Sequence, residues 1–108
     1  MAFSKAHLYS NQERRVARIS NSIAHPARIK ILNQLRYGEM EYDQILNHHP
    51  IKKSTLSQHL RTLRLAGLIQ YTLCGNTYSY HLQYENHPEW LEIILASLER
   101  PEYLRDAA

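Results

Sequence analysis

The sequence predicts a mainly α-helical fold with one small β-hairpin, in the element order α-α-α-α-β-β-α. Three observations support this prediction. Apolar residues recur at helical spacing in the segments that precede Gly67. From residue 68 the spacing changes to the alternation that is typical of strands. A last segment, 88–99, begins with Pro88 and is apolar nearly all round at helical spacing.

Local signals mark the ends of the first two helices. Ser10 followed by Glu13 is a capping-box pattern, which predicts a helix over 10–24. This helix should end before Pro26, because a residue that precedes proline avoids helical geometry. Pro26 itself suits the first position of a second helix, and Gly38 is expected to end that helix.

A short third helix is expected from Tyr42 to Asn47, and it is followed by a Ser-rich helix over residues 54–66. The apolar stripe of the Ser-rich helix consists of Leu56, Leu60 and Leu63. Its polar side consists of Ser54, Ser57, Gln58 and Arg61. Such side chains can reach base edges and phosphates in a major groove. An ordinary solvated helix face is the alternative explanation of this pattern.

Two alternating segments, 68–73 and 77–82, predict strands joined by a tight turn at residues 74–76. A helix-turn-helix followed directly by such a hairpin is the winged helix-turn-helix arrangement. The second helix of the pair then enters the major groove, and the hairpin, or wing, lies against the neighbouring backbone. The whole chain, 1–108, is expected to be one such DNA-binding domain, with a flexible N-terminus over 1–8.

Charge is unevenly distributed along the chain. Residues 1–36 carry seven Lys or Arg and one Glu, whereas residues 74–108 carry two Arg and six acidic residues. This split favours one surface that meets a polyanion and another that does not, although a solvated surface could show the same split. No apolar run approaches the ~20 residues of a membrane span, and the N-terminus lacks a signal-peptide core. A cytoplasmic protein with no membrane partner is therefore expected.

The motifs of residues 22–82 resemble those of the ArsR/SmtB family of bacterial transcriptional regulators. They include His25-Pro26-Ala27-Arg28, the run Ser-Thr-Leu-Ser-Gln-His-Leu-Arg-Thr-Leu at 54–63, and Ala66-Gly67-Leu68-Ile69. The resemblance implies a homodimer that binds a palindromic operator in double-stranded DNA and represses transcription until a signal releases it. An enzyme is not expected, because no Ser-His-Asp, Cys-His or paired-carboxylate pattern stands out.

The resemblance places the DNA contacts at and after the start of the Ser-rich helix. Carried over by position, they are Lys53, Ser54, Ser57 and Gln58, with Arg61 as a phosphate ligand. The wing lacks the Arg residues that family members often carry, so its contribution to DNA affinity is expected to be weak. Most phosphate contacts are then expected from Lys52, Lys53, Arg61, Arg64 and the N-terminal arginines. His59 also matches the family pattern, but its position beside the apolar stripe favours a structural role.

The first and last helices, 10–24 and 88–99, form the dimer interface in this family. The last helix supports the same expectation independently, because it has more apolar surface than one small core would use. The expected interface residues are Ile19, Ile23, Trp90, Leu91, Ile94, Leu95 and Leu98. Packing of all this surface within one chain is the alternative.

The family's usual metal sites are incomplete here. Its Cys-containing box aligns with residues 39–44, where neither cysteine position holds a cysteine. Its zinc site on the last helix needs a further histidine, which residues 88–99 do not contain. No metal or other cofactor is therefore expected, and the effector is left unassigned. Two alternatives stay open: a metal-responsive repressor with a non-standard His/Glu site, and a winged-helix module that binds a protein partner.

Two further features of the hairpin region allow more than one interpretation. Cys74, the single cysteine, is more typical of a small apolar turn residue than of a redox centre. Tyr71, Tyr78, Tyr80 and Tyr84 are expected to form the core face of a small sheet against the last helix. The alternative is a small-molecule pocket formed with Trp90.

Overall fold

The computed structural model describes residues 8–105, so residues 1–7 of the predicted flexible N-terminus lie outside the described range. The helices in this range are α1 Asn11–Ile23, α2 Pro26–Leu35, α3 Tyr42–Leu46, α4 Lys53–Leu65, α5 Glu89–Ala96 and α6 Glu102–Arg105. The strands are β1 Met40–Glu41, β2 Ile69–Cys74 and β3 Thr77–Leu82. This is the predicted winged helix-turn-helix with β1 and α6 added. None of the described helices is long and apolar enough to cross a membrane.

The predicted helix starts are confirmed at atomic detail. The Glu13 N–H donates to Ser10 Oγ over 3.0 Å, and the Ser10 N–H donates to the Glu13 carboxylate over 2.8 Å. These bonds complete the capping box. Hydrogen bonding of the Glu13 carboxylate by Ser10, first by its backbone N–H, lowers the pKa of Glu13. The N-terminus of α2 is capped by His25, whose Nδ1 accepts from the Ala27 N–H over 3.0 Å. Pro26 occupies the first turn of α2, where its missing N–H costs nothing.

The sheet is antiparallel and has the strand order β1-β3-β2. β2 and β3 pair from Ile69↔Leu82 to Cys74↔Thr77, and the turn between them has Gly75 at φ 64°. A positive φ favours glycine at this point, as the sequence predicted. The short strand β1 pairs Met40 with Tyr80 on the outer side of β3. Sequence spacing did not predict β1, because two residues are too few to show an alternating pattern.

The core is built from apolar side chains of every element from α1 to α5 except the two-residue strand β1. The predicted stripe of α4, Leu56, Leu60 and Leu63, is buried in it. The other buried apolar residues are Ile19, Ile23, Ile31, Leu32, Leu35, Ile45, Leu68, Ile69, Tyr80, Leu82, Leu91 and Leu95. Full burial of one such side chain stabilises the fold by roughly 1.5–3 kcal/mol. The inner side of α4 is therefore fixed in place, and its outer side is left for contacts.

Four of the seven residues expected at a dimer interface contribute to the core of one chain. They are buried within one chain, at 9% exposure or less, because they complete its own core: Ile19, Ile23, Leu91 and Leu95. Little of these side chains is left to bury against a partner. Trp90 and Leu98 are half-buried, and Ile94 is 43% exposed. Ile93, which the sequence analysis did not select, is 65% exposed.

The C-terminal part also differs from the expected pattern. α5 ends at Ala96, although the apolar spacing continues to Leu98. Pro101 is buried, and α6 begins directly after it at Glu102. Pro101 can precede a helix as easily as it ends one, because proline suits a helix start.

Candidate nucleic-acid interface

Five of the predicted contact residues lie together on the outer side of α4. They are Lys53, Ser54, Ser57, Gln58 and Arg61, and all five are exposed. This grouping follows from helical spacing, because residues three and four apart lie on one face. The burial of the opposite stripe keeps this face turned to solvent. It presents one ammonium, one guanidinium, two hydroxyls and one amide.

The N-terminus of α4 adds backbone donors to this face. Its N-cap residue is Lys52, and among the described residues no side chain caps the first turn. The N–H groups of a first helical turn have no partner inside the helix and carry the positive end of the helix dipole. Together with the exposed side chains of Lys52 and Lys53, they form a suitable contact for a phosphate.

Arg28 of α2 holds α4 against the rest of the fold. Its Nε donates to His59 Nδ1 over 3.1 Å, and its Nη1 donates to the carbonyl of Ser22 over 3.1 Å. His59 is 8% exposed, and burial lowers its pKa, with added effects of the charges on His25 and Arg28. A neutral imidazole can accept the Arg28 bond. The structural role favoured for His59 therefore agrees with its burial.

Tyr42, the first residue of α3, contacts the start of α4. Its hydroxyl donates to the Lys53 carbonyl over 2.7 Å and lies 2.8 Å from Ser57 Oγ. The sequence predicted Tyr42 only as the first residue of a short helix. It gave no signal for these bonds, because they join positions 11 and 15 residues apart whose relative placement depends on the tertiary fold. The contact links α3 to a predicted base-reading side chain.

Arg64 lies on the side of α4 that faces the hairpin. Its guanidinium lies over the ring of Tyr71, 5.1 Å from the ring centroid, and is partly buried between α4 and the hairpin. Arg64, Arg61 and Ser57 line an open cleft of about 250 Å³ together with Tyr71, Tyr78 and Tyr80. A phosphate contact by Arg64 would thus be made from the side of the wing.

The tyrosines of the hairpin correct one expectation. Tyr71, Tyr78 and Tyr80 pack on one another and face α4 rather than the last helix. Of these three only Tyr80 is buried, and burial raises its pKa. Tyr84 is 55% exposed and lies against His87 instead. Tyr71, Tyr78 and Tyr80 therefore line the cleft beside α4 and do not form a core face against the last helix.

The tip of the wing is exposed and uncharged. Thr72, Leu73, Cys74 and Asn76 are all exposed, and residues 68–82 contain no Lys or Arg. Among the described residues that line the cleft beside the hairpin, the cationic side chains are Arg61 and Arg64. The Cys74 thiol is free and exposed at the end of β2.

Two histidines, His87 and His49, form hydrogen bonds inside the fold. Both nitrogens of His87 are occupied, one by Glu92 Oε1 at 2.7 Å and the other by the Leu68 carbonyl at 2.8 Å. His49 is buried, and its Nε2 lies 2.7 Å from Gln34 Oε1. Within residues 8–105, no group of three or more His, Cys, Asp or Glu side chains is placed to hold a metal ion.

Comparison with known proteins gives consistent matches. Residues 25–71, which include all of α4, match the family described as "Bacterial regulatory protein, arsR family". The chain is 33% identical over 82 residues to the HTH-type transcriptional regulator NmtR of Mycobacterium tuberculosis, covering 76% of this chain and 68% of that protein. It is 30% identical over 87 residues to the biofilm growth-associated repressor of Agrobacterium fabrum, covering 81% and 74%. The crystal structure of NolR from Sinorhizobium fredii superposes with a TM-score of 0.70 and 25% identity, over 90% of this chain and 91% of that one.

Proposed function

Because the chain belongs to the ArsR family of bacterial regulatory proteins, it is a DNA-binding transcriptional regulator, and we propose that it is a homodimeric repressor whose α4 reads a palindromic operator. The observation that carries this proposal is the exposed polar face of α4. Its inner side is buried in the core, while Lys53, Ser57, Gln58 and Arg61 face solvent. A helix presented in this way can lie in a major groove with its side chains at the base edges.

Phosphate contacts are proposed to come mainly from α4 and its N-terminus. Lys52, Lys53 and Arg61 are exposed there, whereas the wing tip carries no cationic side chain. Each neutralised phosphate releases counterions, so that the log–log dependence of affinity on salt has a slope of about −0.9 per contact. The slope of log affinity against log salt concentration therefore measures how many of these cationic groups contact phosphates.

The test begins with a duplex selected by the protein from a random-sequence pool. Fluorescence anisotropy then measures the affinity between 50 and 200 mM salt, a range chosen because phosphate contacts are sensitive to it. Arg61→Ala should reduce the slope by about one. Arg105→Ala is the matched control, because Arg105 is exposed on α6 and pairs with Glu99, 2.9 Å away. A wild-type slope near zero would contradict the proposal and favour a winged-helix module that binds a protein partner.

The proposed dimer uses exposed apolar residues of α1 and α5. At about 100° per residue, Trp90, Ile93 and Ile94 form a second stripe on α5, beside the buried Leu91 and Leu95. On α1, Val16 is 41% exposed. The radius of gyration, 15.4 Å, exceeds the ~13 Å expected for a compact domain of this length. An elongated chain with exposed apolar helix faces suits a partner that covers them.

Sedimentation velocity at micromolar concentration tests the dimer. The wild-type chain should sediment with twice the mass of one chain, and Ile93→Glu should shift it towards the monomer, because a charge is costly inside an apolar interface. Leu73→Glu is the control: Leu73 is 60% exposed, much as Ile93 is, but it lies at the wing tip. A wild-type monomer, or equal effects of both substitutions, would contradict this interface.

Repression and a cytoplasmic location are parts of the same proposal. The relative from A. fabrum is named a repressor, and a regulator of transcription must reach the chromosome. A reporter gene placed downstream of the selected operator sequence tests repression directly. Expression of the wild-type chain should lower reporter output, and the Arg61→Ala variant should lower it less. An increase in output with the wild-type chain would identify an activator instead.

A further inference from the structure

The hydroxyl of Ser57 has a fixed direction in this structure. Two hydrogen bonds meet at the Tyr42 hydroxyl, one with the Lys53 carbonyl at 2.7 Å and one with Ser57 Oγ at 2.8 Å. A phenol carries a single hydrogen, and a carbonyl oxygen can only accept. The Tyr42 hydrogen must therefore go to Lys53, and the second bond must be donated by Ser57.

This assignment leaves Ser57 without a free hydrogen. A serine hydroxyl has one hydrogen and two lone pairs, and the hydrogen is directed at Tyr42. Among the described residues, Ser57 Oγ has no other hydrogen-bond partner, and the side chain is exposed. Towards a bound duplex, Ser57 therefore presents only lone pairs.

We propose that Tyr42 makes Ser57 an acceptor-only reader of the major groove, so that Ser57 selects adenine or cytosine on the strand it faces. This inference rests on the proposed function of α4. In the major groove, adenine N6 and cytosine N4 carry donor hydrogens, whereas guanine and thymine present only acceptors. An unconstrained serine reads either kind of group, because its hydroxyl can rotate.

The rest of the α4 face makes this role distinctive. Lys53 and Arg61 can only donate, and the Ser54 hydroxyl and the Gln58 amide can do both. Ser57 is thus the one side chain of the predicted contact set that is restricted to accepting. Guanine or thymine opposite it would place two acceptors against each other, with neither satisfied.

Selection of operator sequences tests the proposal. The position read by Ser57 is located as the one whose base preference disappears in Ser57→Ala. At that position the wild-type chain should prefer adenine or cytosine by about fivefold, the scale of one net hydrogen bond. Tyr42→Phe keeps the ring but removes the hydroxyl, and the preference should fall within about twofold. Tyr37→Phe is the matched control, because Tyr37 is an exposed tyrosine outside the α4 face.

A second measurement changes the DNA instead of the protein. An analogue that lacks the amino group, purine for adenine or 2-pyrimidinone for cytosine, replaces the base at the Ser57 position. Wild-type affinity should fall about fivefold, while the affinity of the Ser57→Ala variant should not change. This comparison decides the question even if Tyr42→Phe proves unstable in a thermal melt.

The outcomes separate this inference from the proposed function. A preference for guanine or thymine at the Ser57 position, or an unchanged preference in Tyr42→Phe, would overturn the role of Tyr42. Equal losses with the analogue in wild type and Ser57→Ala would overturn the role of Ser57. A wild-type chain that selects no sequence at all would instead reject operator binding by α4.

Discussion

Acidification should destabilise the fold through His49, which lies between α3 and α4. Burial lowers the pKa of His49 from 6.5 to about 4, with further effects of the charges on Lys30, His59 and His48. Because the pKa of His49 is lower in the folded chain than in the unfolded chain, acidification protonates the imidazole of the unfolded chain at a higher pH. The unfolded state therefore binds more protons between pH 6.5 and pH 4, and stability decreases as the pH falls through this window.

The size of this effect follows from the two pKa values of His49. Proton linkage gives a loss of about 2 kcal/mol between pH 7.5 and pH 5, and about 3 kcal/mol once the pH is below the folded value. The side chain is 8% exposed, so solvent screening weakens this penalty little. A loss of 2 kcal/mol is a large part of the stability of a small domain.

Urea denaturation at pH 7.5 and pH 5 measures the effect. His49→Gln removes the titrating group while its amide can still donate to Gln34 Oε1, the partner of His49 Nε2 at 2.7 Å. The loss of stability on acidification should therefore be about 2 kcal/mol smaller in this variant than in wild type. His48→Gln is the control: it removes the adjacent ring, stacked on Tyr103, and keeps the His49 bond. Because the charge on His48 has the smallest of these effects on the His49 pKa, this variant should keep most of the wild-type pH dependence. Equal pH dependence in wild type and His49→Gln would refute the reasoning.

Three further substitutions test how α4 is held. Leu56→Ala opens a cavity under a fully buried position of α4 and should cost about 2.7–5 kcal/mol in urea denaturation. Gly67→Ala should lower the free energy of unfolding by about 1–2 kcal/mol in the same assay, because Gly67 has φ 78° and an added Cβ would lie 3.3 Å from Asn86 Nδ2. An unchanged free energy of unfolding would contradict backbone strain at this position. Arg28→Met removes the bonds to His59 and Ser22 and should lower the melting temperature by several degrees, and an unchanged value would show that these bonds contribute nothing.

Local signals predicted the fold well because their physical causes are local. The capping box of Ser10 and Glu13, the helix start at Pro26 and the turn at Gly75 each depend on residues within a few positions. Strand β1 was missed because its two residues become a strand only through pairing with Tyr80, about 40 residues later. Local pattern contains no information about that partner.

Only part of the candidate site could be predicted, because only part of it depends on local sequence. Helical spacing alone places Ser57, Gln58 and Arg61 on one exposed face. The position of Arg64 over Tyr71 depends on where the hairpin packs. Which of the two apolar stripes of α5 is buried depends on how α5 packs against α2. The bond between Tyr42 and Ser57 likewise requires the tertiary placement of α3. The sequence could therefore predict which residues share a face of α4. It could not predict which side chains from other elements contact that face.

The central claim, that α4 reads the operator, is tested most directly by the affinity of Gln58→Ala and Ser57→Ala for the selected duplex. A scrambled duplex at the same salt concentration gives the non-specific reference. If these side chains read bases, each substitution should weaken operator binding by about 1–3 kcal/mol and leave scrambled-duplex binding unchanged. Operator affinity that stays at the wild-type value in both variants would contradict the account.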